Sequence, residues 1–151
     1  MRMSVIMALL VAGLADSKLA AQPSWPLFDD RAVQDVYLDL KPADWQTLRR
    51  NYWLNTFYPA KFTWNGQTVD NIGIRSRGQG SRSPDKPNLK LDFNYYVQGQ
   101  QFLGLPAVVL KANNQDPSLL REILAMKLFR QMGLPAPREA FARLYINGEF
   151  W

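Results

Sequence analysis

The stretch AKFTWNGQTVDNIGI, residues 60–74, contains one of the strongest local signals in the chain. Apolar residues alternate with polar ones on both sides of its centre: Ala60, Phe62, Trp64, Val69, Ile72 and Ile74. The central Asn65-Gly66 pair is typical of a two-residue β-hairpin turn, because both positions of that turn need positive φ angles. The uneven spacing from Val69 to Ile72 predicts a β-bulge. The stretch therefore predicts two antiparallel strands.

Four other segments have the apolar patterns of strands: residues 35–40, 89–93, 107–110 and 140–146. In the first of them, Val36, Leu38 and Leu40 share one face, which predicts a half-buried strand. The run 107–110 is apolar throughout, which is typical of a buried strand. Together with the hairpin, these segments predict a mostly antiparallel sheet.

Two segments have the pattern of amphipathic helices. Residues 42–53 begin with Pro42, which suits the first helical turn, and their apolar residues recur at helical spacing. Residues 117–132 follow Asp116, a favourable N-cap residue, and stop before Gly133, a favourable C′ residue. Two main helices and a sheet of this kind predict an α+β fold.

The end of the chain has an unfinished hairpin pattern. Asn147-Gly148 predicts a second two-residue turn, but only Glu149, Phe150 and Trp151 follow it. A last strand without a return partner would leave an exposed edge. We therefore expect the domain to be incomplete at its C-terminus, and the chain to be a fragment of a longer protein.

The composition excludes several kinds of functional site. The chain has 151 residues, enough for one domain, and contains no Cys and no His. A disulfide scaffold, a thiol nucleophile, a Ser-His-Asp triad and a histidine-bound metal are therefore excluded. Lys and Arg number 18 against 13 Asp and Glu, and the resulting net charge of +5 favours an anionic partner.

Residues 1–21 have the layout of a secretory signal peptide, with a basic residue, an apolar run and a small-residue end. Cleavage after Ala21 and cleavage after Ala15 both fit. A membrane anchor or a buried helix is the alternative, although the apolar run is too short to span a bilayer. We expect an exported, extracellular or envelope protein without a stable membrane span, with a linker at 22–27 and one domain at 28–151.

The segment 75–87 is polar and rich in Gly and Pro, which predicts a loop. With the start of the next strand it contains five cations: Arg75, Arg77, Arg82, Lys86 and Lys90. Gly78 and Gly80 allow backbone N–H groups to turn inward, so such a loop is able to hold a polyphosphate. The alternative is a solvated loop whose charges serve solubility.

Glu122 projects from an otherwise apolar face of the second helix, since apolar residues follow it at helical spacing. A carboxylate in that position needs a cationic partner. Lys90 is the expected partner, with Lys86 as its rival. Arg121 or Lys127 would be the partner in a purely structural pairing. A strand lysine paired with a helix glutamate behind a phosphate-covering loop is the arrangement by which the N-terminal lobes of kinases hold ATP.

Two further groups of residues have more ordinary explanations. Asn113, Asn114 and Asp116 offer oxygen ligands for a hard cation, but a cap and turn before a helix is the expected use, and no metal site is predicted. The five Trp, six Tyr and eight Phe are expected to pack in and around the core rather than to stack on sugars or bases.

Several short motifs occur together in this chain. They are Pro42-Ala-Asp-Trp, Arg75-Ser-Arg-Gly, Ser81-Arg, Lys86-Pro, Gln115-Asp-Pro-Ser, Arg121-Glu and Met132-Gly-Leu-Pro-Ala-Pro-Arg-Glu. In this combination, residues 28–151 resemble the CotH family, the spore coat protein H-like kinases. The resemblance implies a protein-kinase-like N-terminal lobe of an exported atypical kinase. Such a transferase uses ATP and a divalent ion, Mg or Mn, to phosphorylate Ser or Thr of acidic or Ser-rich surface and coat proteins.

The resemblance also implies positions for ATP binding. The residues that match the basic nucleotide-side stretch of the family are Arg77, Ser81, Arg82, Lys86 and Lys90, and Glu122 falls in the helix that would support it. The catalytic and metal-binding acidic residues of the family are expected after Trp151. No catalytic residue is therefore assigned within this fragment.

Two other functions fit the same residues. A non-catalytic scaffold of the cell envelope or spore coat would use the basic loop to dock acidic partners. Non-specific nucleic-acid binding would use the same cations and would show a steep salt dependence. Export argues against that second alternative, and no nucleic-acid partner is expected.

Overall fold

The computed structural model describes residues 6–9 and 26–151. The strands of this part are β1 Ile6–Leu9, β2 Gln34–Leu40, β3 Tyr58–Trp64, β4 Gln67–Arg77, β5 Asn88–Asp92, β6 Ala107–Lys111, β7 Glu139–Ile146 and β8 Glu149–Phe150. The helices are α1 Pro42–Arg50 and α2 Arg121–Gln131, and a short 3-10 helix spans Pro26–Phe28. The predicted α+β class with two main helices is confirmed.

All of these strands belong to one curled sheet. Its order is β6-β5-β4-β3-β2-β7-β8, and β1 pairs with both β6 and β7, so the sheet curls back on itself. Within the described residues the β2–β7 pairing is parallel and the other pairings are antiparallel. The mostly antiparallel sheet is therefore confirmed, with one parallel pair that makes it mixed.

The central hairpin forms as its sequence predicts. Asn65 and Gly66 have φ angles of 47° and 73°, the left-handed conformation that the tight turn requires. Ala60 pairs with Ile72 and Phe62 pairs with Val69, so β4 contains one residue more than β3 over this interval. This extra residue is the predicted bulge.

The inner face of the curled sheet forms an apolar core. Side chains without exposed surface include Leu38, Phe62, Ile72, Ile74, Leu91, Phe93 and Leu105. The Phe62 ring packs edge-on against Phe93 and Phe102, with centroid distances of 5.3 and 4.9 Å. Burial of each large apolar side chain contributes about 1.5 to 3 kcal/mol to stability. The outer face of the same strands is left for polar residues.

Helix α1 closes one end of the sheet. Its Trp45 and Leu48 are buried, and Trp45 packs edge-on against Trp151 with ring centroids 4.8 Å apart. The predicted helix extends to residue 53, but the observed one ends at Arg50. The residues that follow form a turn, in which the N–H of Leu54 donates to the carbonyl of Asn51.

Helix α2 begins four residues later than its sequence predicts. The carboxylate of Asp116 accepts hydrogen bonds from Ser118 and from the N–H of Arg121, so it closes an extra turn before the helix starts. Leu119, with a φ of 59°, interrupts the helical backbone there. At the other end the N–H of Leu134 donates to Phe129 across Gly133, whose φ is 76°. The predicted glycine stop is confirmed as a Schellman motif.

The loop predicted at residues 75–87 also starts later in the structure than its sequence indicates. Arg75 to Arg77 belong to β4, in register with β5, so the connecting loop is 78–87.

Of the predicted signal peptide 1–21, only Ile6–Leu9 lies within the described residues, as β1. Of the predicted linker 22–27, only the last two residues are described, and Leu27 packs into the core. In the described part, the helices are all too short to cross a membrane.

Candidate functional site

Cationic side chains gather on the outer face of β4, β5 and β6. Arg75 pairs in register with Lys90, and Lys90 pairs with Val109, two residues before Lys111. Because side chains alternate between the faces of a sheet, Arg75, Lys90 and Lys111 lie on the face opposite the apolar core. We refer to these three residues as the outer-face cations. Arg77, two residues after Arg75, continues the same row.

The ammonium of Lys111 forms an ion pair with the carboxylate of Glu122. Lys111 is the last residue of β6, and Glu122 lies in the first turn of α2. Each side chain is about one quarter exposed, with 25% of Lys111 and 27% of Glu122 accessible to water. The ammonium is therefore able to contact an anion while it stays paired with the helix.

This pairing corrects the expectation that Glu122 binds Lys90 or Lys86. The Nζ of Lys90 lies 2.7 Å from the Oδ2 of Asp92, two residues later on the same face of β5. Of the two structural alternatives, Lys127 pairs with Asp30 and Arg121 with Asp116. One feature of the sequence could have identified Lys111 as the partner of Glu122. Lys111 ends an apolar strand and comes shortly before the helix segment that contains Glu122.

The other outer-face cations lie around the ring of Phe57. The guanidinium of Arg75 is 5.3 Å from the ring centroid and the Nζ of Lys90 is 5.6 Å from it. Arg75 also donates to the side-chain oxygen of Asn55 at 2.8 Å. Burial, followed by the nearby charges of Arg82 and Arg77, lowers the pKa of Arg75. Arg75 therefore lies close enough to two further guanidinium groups for their charges to act on it, while Asp92 acts in the opposite direction.

Arg82 fixes the loop 78–87 in place. Its guanidinium donates to the carbonyl oxygens of Gly78, Tyr52 and Leu54 at 2.5, 3.1 and 3.1 Å, and to the side chain of Asn55 at 2.6 Å. The bonds to Tyr52, Leu54 and Asn55 join the loop to the segment after α1, and the bond to Gly78 lies within the loop. The family resemblance assigns Arg82 to the nucleotide side, which stays a prediction, and its contacts in the structure anchor the loop.

Gly78 is required at the start of this loop. Its φ of 118° is unfavourable for other residues, and an added Cβ would lie 2.7 Å from the Oγ of Ser81. The Nδ2 of Asn88 donates to both the carbonyl and the Oγ of Ser81, at 3.1 and 3.2 Å. The Oδ1 of Asn88 accepts from the N–H of Ala112 at 2.8 Å, next to Lys111. One asparagine thus joins the loop to the end of β6.

Lys86 lies on the same loop, farther along. Its carbonyl accepts from the side chain of Asn114 at 2.9 Å, and its N–H donates to the Oγ of Ser83 at 3.3 Å. The loop is therefore held to the segment between β6 and α2 as well. In chain order the site consists of β4, the loop, β5, β6 ending in Lys111, and α2 with Glu122.

Comparison with known proteins identifies the family. A profile of the CotH kinase protein family matches residues 74–151, just over half of the chain. The chain belongs to the CotH kinase protein family. The match includes the loop 78–87, Lys111 and Glu122, and it confirms the resemblance that the sequence motifs indicate.

Two curated relatives of this family member come from Bacillus subtilis strain 168. The inner spore coat protein H is 30% identical over 112 residues, which cover 74% of this chain and 30% of the relative. The inner spore coat protein H-like protein is 42% identical over 50 residues, which cover 33% of this chain and 16% of the relative. The chain therefore spans less than a third of the length of these relatives.

Proposed function

We propose that this chain is the ATP-binding N-terminal lobe of an exported CotH-type kinase, with the phosphates held by Lys111 under the loop 78–87. The observation that carries the proposal is the ion pair of Lys111 and Glu122. In protein kinases a strand lysine binds the ATP phosphates, pairs with a helix glutamate and follows a glycine-containing loop that covers the phosphates. The same parts occur here in the same chain order.

Each residue of the site has a defined part in this proposal. Lys111 contacts a phosphate oxygen, and Glu122 orients its ammonium. Arg77 and Lys90 add positive charge on the same face. Ser81 and Lys86 are carried by the loop, which Arg82 joins to the segment after α1. The negative charge of the ATP phosphates thus complements the positive charge of these side chains.

The divalent ion that the family resemblance implies is not assigned to residues of this chain. Within the described part, no three acidic, His or Cys side chains come close enough together to hold a metal ion. ATP phosphates themselves supply oxygen ligands for Mg or Mn. In kinases, acidic and amide side chains hold the ion and orient the acceptor hydroxyl. No such catalytic role is proposed for any residue here.

The whole protein is proposed to transfer the γ-phosphoryl group of ATP to Ser or Thr. The hydroxyl oxygen would attack the γ-phosphorus, ADP would leave, and the hydroxyl proton would pass to a carboxylate. The names of the relatives, inner spore coat protein H and inner spore coat protein H-like protein, support a substrate or a location in the spore coat or envelope. The acceptor is proposed to be an acidic or Ser-rich coat protein.

Export is proposed from the signal-peptide pattern of residues 1–21. Cleavage after Ala21 would remove β1 and leave the facing edges of β6 and β7 without their shared strand. The intact mass of the protein from the cell envelope tests this step. A mass reduced by about 21 residues supports export, and an unprocessed protein retained in the cytoplasm would contradict it.

Substitution of Lys111 tests the ATP site. We expect Lys111→Met to weaken the binding of a fluorescent ATP analogue at least tenfold, because the ammonium that meets the phosphates is lost. Lys127→Met is the matched control, since it removes a lysine of α2 that pairs with Asp30 rather than with Glu122. It should change the affinity less than twofold.

The same titration distinguishes the scaffold alternative. A scaffold that docks acidic partners through the loop would give no preference for ATP over other polyanions, and both lysine variants would behave alike. Equal affinity of Lys111→Met and the unchanged chain would reject the proposed site. Binding lost equally in both variants would indicate a general effect of charge.

A further inference from the structure

Helix α2 has apolar residues on its outer side as well as on the side that faces the sheet. Leu120, Leu124 and Leu128 follow one another at four-residue spacing, and they are 45%, 58% and 53% exposed. We refer to these three residues as the leucine stripe. Residues four apart in a helix lie on the same face, so the stripe runs along the outer side of α2. Because a helix that is apolar all round is normally buried all round, this outer side is a candidate docking surface.

The charged residues next to the leucine stripe are cationic on both sides. Successive residues of a helix are separated by about 100° around its axis. Arg121 thus lies about 60° from Leu124 on one side of the stripe, and Lys127 lies about 60° from it on the other. The acidic residue of the helix, Glu122, lies about 160° from Leu124, where it pairs with Lys111. An apolar stripe between two cations complements a surface that is apolar beneath a negatively charged layer.

Both cations are exposed enough to contact such a surface. The side chain of Arg121 is 76% exposed, and its Nε lies 3.5 Å from the Oδ1 of Asp116. The side chain of Lys127 is 44% exposed and pairs with Asp30. Ion pairs as exposed as these contribute little to stability, so their exchange for lipid phosphates has a small cost. Long Lys and Arg side chains commonly lie along an apolar surface with their charged ends in the polar layer.

We propose that the outer side of α2 is a docking site for an anionic phospholipid surface. The leucine stripe inserts among the acyl chains, and Arg121 and Lys127 contact the headgroup phosphates. A basic amphipathic helix that lies in the plane of a membrane interface has this arrangement. A second copy of the chain fits less well, because contact between two such stripes would bring four cations together.

Docking in this orientation leaves the proposed ATP site accessible. Glu122 holds Lys111 on the side of α2 that faces away from the stripe, so the docking site goes beyond the proposed function and does not rest on it. The contacts that hold α2 also do not involve β1. They join Glu122 to Lys111 of β6, Lys127 to Asp30, and Arg130 to Pro137. The docking site would hold an exported protein at a membrane of the envelope.

Sedimentation with phospholipid vesicles tests the proposal. The chain should bind phosphatidylcholine vesicles that contain about 30% phosphatidylglycerol about tenfold more tightly than vesicles of phosphatidylcholine alone, because each cation near an anionic surface strengthens binding severalfold. The binding should weaken as salt is added. Equal affinity for the two kinds of vesicle, or binding to neither, would overturn the proposal.

Two leucine variants test the stripe. Leu124→Ser should weaken binding to the anionic vesicles about fivefold, because an apolar side chain no longer enters the acyl chains. Leu54→Ser is the matched control, since Leu54 is similarly exposed but follows α1. It should change the affinity less than about twofold. Equal losses in the two variants would show that the stripe does not insert and would overturn the proposal.

Two arginine variants test the flanking charge. Arg121→Gln should weaken binding to the anionic vesicles about threefold, because one headgroup contact is lost. Arg50→Gln, an exposed change on α1, should leave the affinity within about twofold of that of the unchanged chain. If both variants lost the same affinity, the attraction would be one of net charge, and the orientation proposed for α2 would be wrong.

A fluorescent label measures insertion directly. The chain contains no Cys, so Leu124→Cys provides a single attachment site for an environment-sensitive dye. Its emission should shift to the blue when anionic vesicles are added, whereas the same dye attached through Gln46→Cys on α1 should not respond. An unshifted emission would reject insertion, even if Leu124→Ser failed to fold. Dimers that form without vesicles and are lost in Leu124→Ser would assign the stripe to a second copy and reject the lipid surface.

Discussion

The two helices are attached to the sheet in different ways. Helix α1 has nine residues and buries Trp45 and Leu48. Helix α2 has eleven residues and buries only Ile123, while Leu124 and Leu128 are 58% and 53% exposed. Apolar burial therefore fixes α1, and it contributes much less to the position of α2.

Polar contacts supply much of the attachment of α2. Glu122 pairs with Lys111, the Nζ of Lys127 lies 2.7 Å from Asp30, and Arg130 donates to Pro137. Exposed and half-exposed ion pairs contribute about 1 kcal/mol or less each and weaken in salt. The position of α2 should thus respond to bound anions and pH.

The largest effect is expected from Trp45→Ala. Trp45 is buried and packs against Trp151, so its removal leaves a cavity between α1 and the sheet. The free energy of unfolding should fall by about 3 to 5 kcal/mol in urea denaturation. Gln46→Ala, an exposed change on the same helix, is the control. A loss below about 1 kcal/mol in Trp45→Ala would contradict the role of α1 as a buried element.

A smaller effect is expected on α2. Ile123→Ala should lower the free energy of unfolding by about 2 kcal/mol, because Ile123 is 3% exposed. Leu124→Ala, one residue along and mostly exposed, should change it by less than about 0.5 kcal/mol. The same urea experiment compares the two. Equal losses of unfolding free energy in the two variants would mean that the outer face of α2 is covered in solution. The two helices would then no longer differ in how much apolar surface they bury.

The strands and turns were largely predictable from the sequence. The hairpin at Asn65-Gly66, the bulge after Val69 and the stop at Gly133 depend on local backbone preferences, which the residues themselves carry. The start of α2 was predicted too early because Asp116 caps an extra turn. That choice depends on a hydrogen bond to Arg121, five residues away.

The candidate site was predictable only in part. The sequence indicated the basic loop, the residue Glu122 and the need of that carboxylate for a lysine. The expectation of Lys90 or Lys86 as that lysine was wrong, since the choice of Lys111 depends on the register of β5 and β6 and on the path of α2. Arg82 was assigned to the nucleotide side by the family resemblance, and its observed partners are backbone carbonyls and the Asn55 side chain, which the fold brings near it. The sequence did not indicate that Glu139 is buried, because its burial depends on contacts among several strands and a local pattern does not show them.

The sequence by itself determined the alternating strands, the turns, the family and the concentration of positive charge near the loop. These depend on neighbouring residues and on motifs. Tertiary structure alone decided that Lys111 pairs with Glu122, that Arg82 anchors the loop, and that Glu139 is buried. The physical reason is that ion pairs and desolvation depend on distances across the sheet, which only the closed arrangement of strands and helices sets.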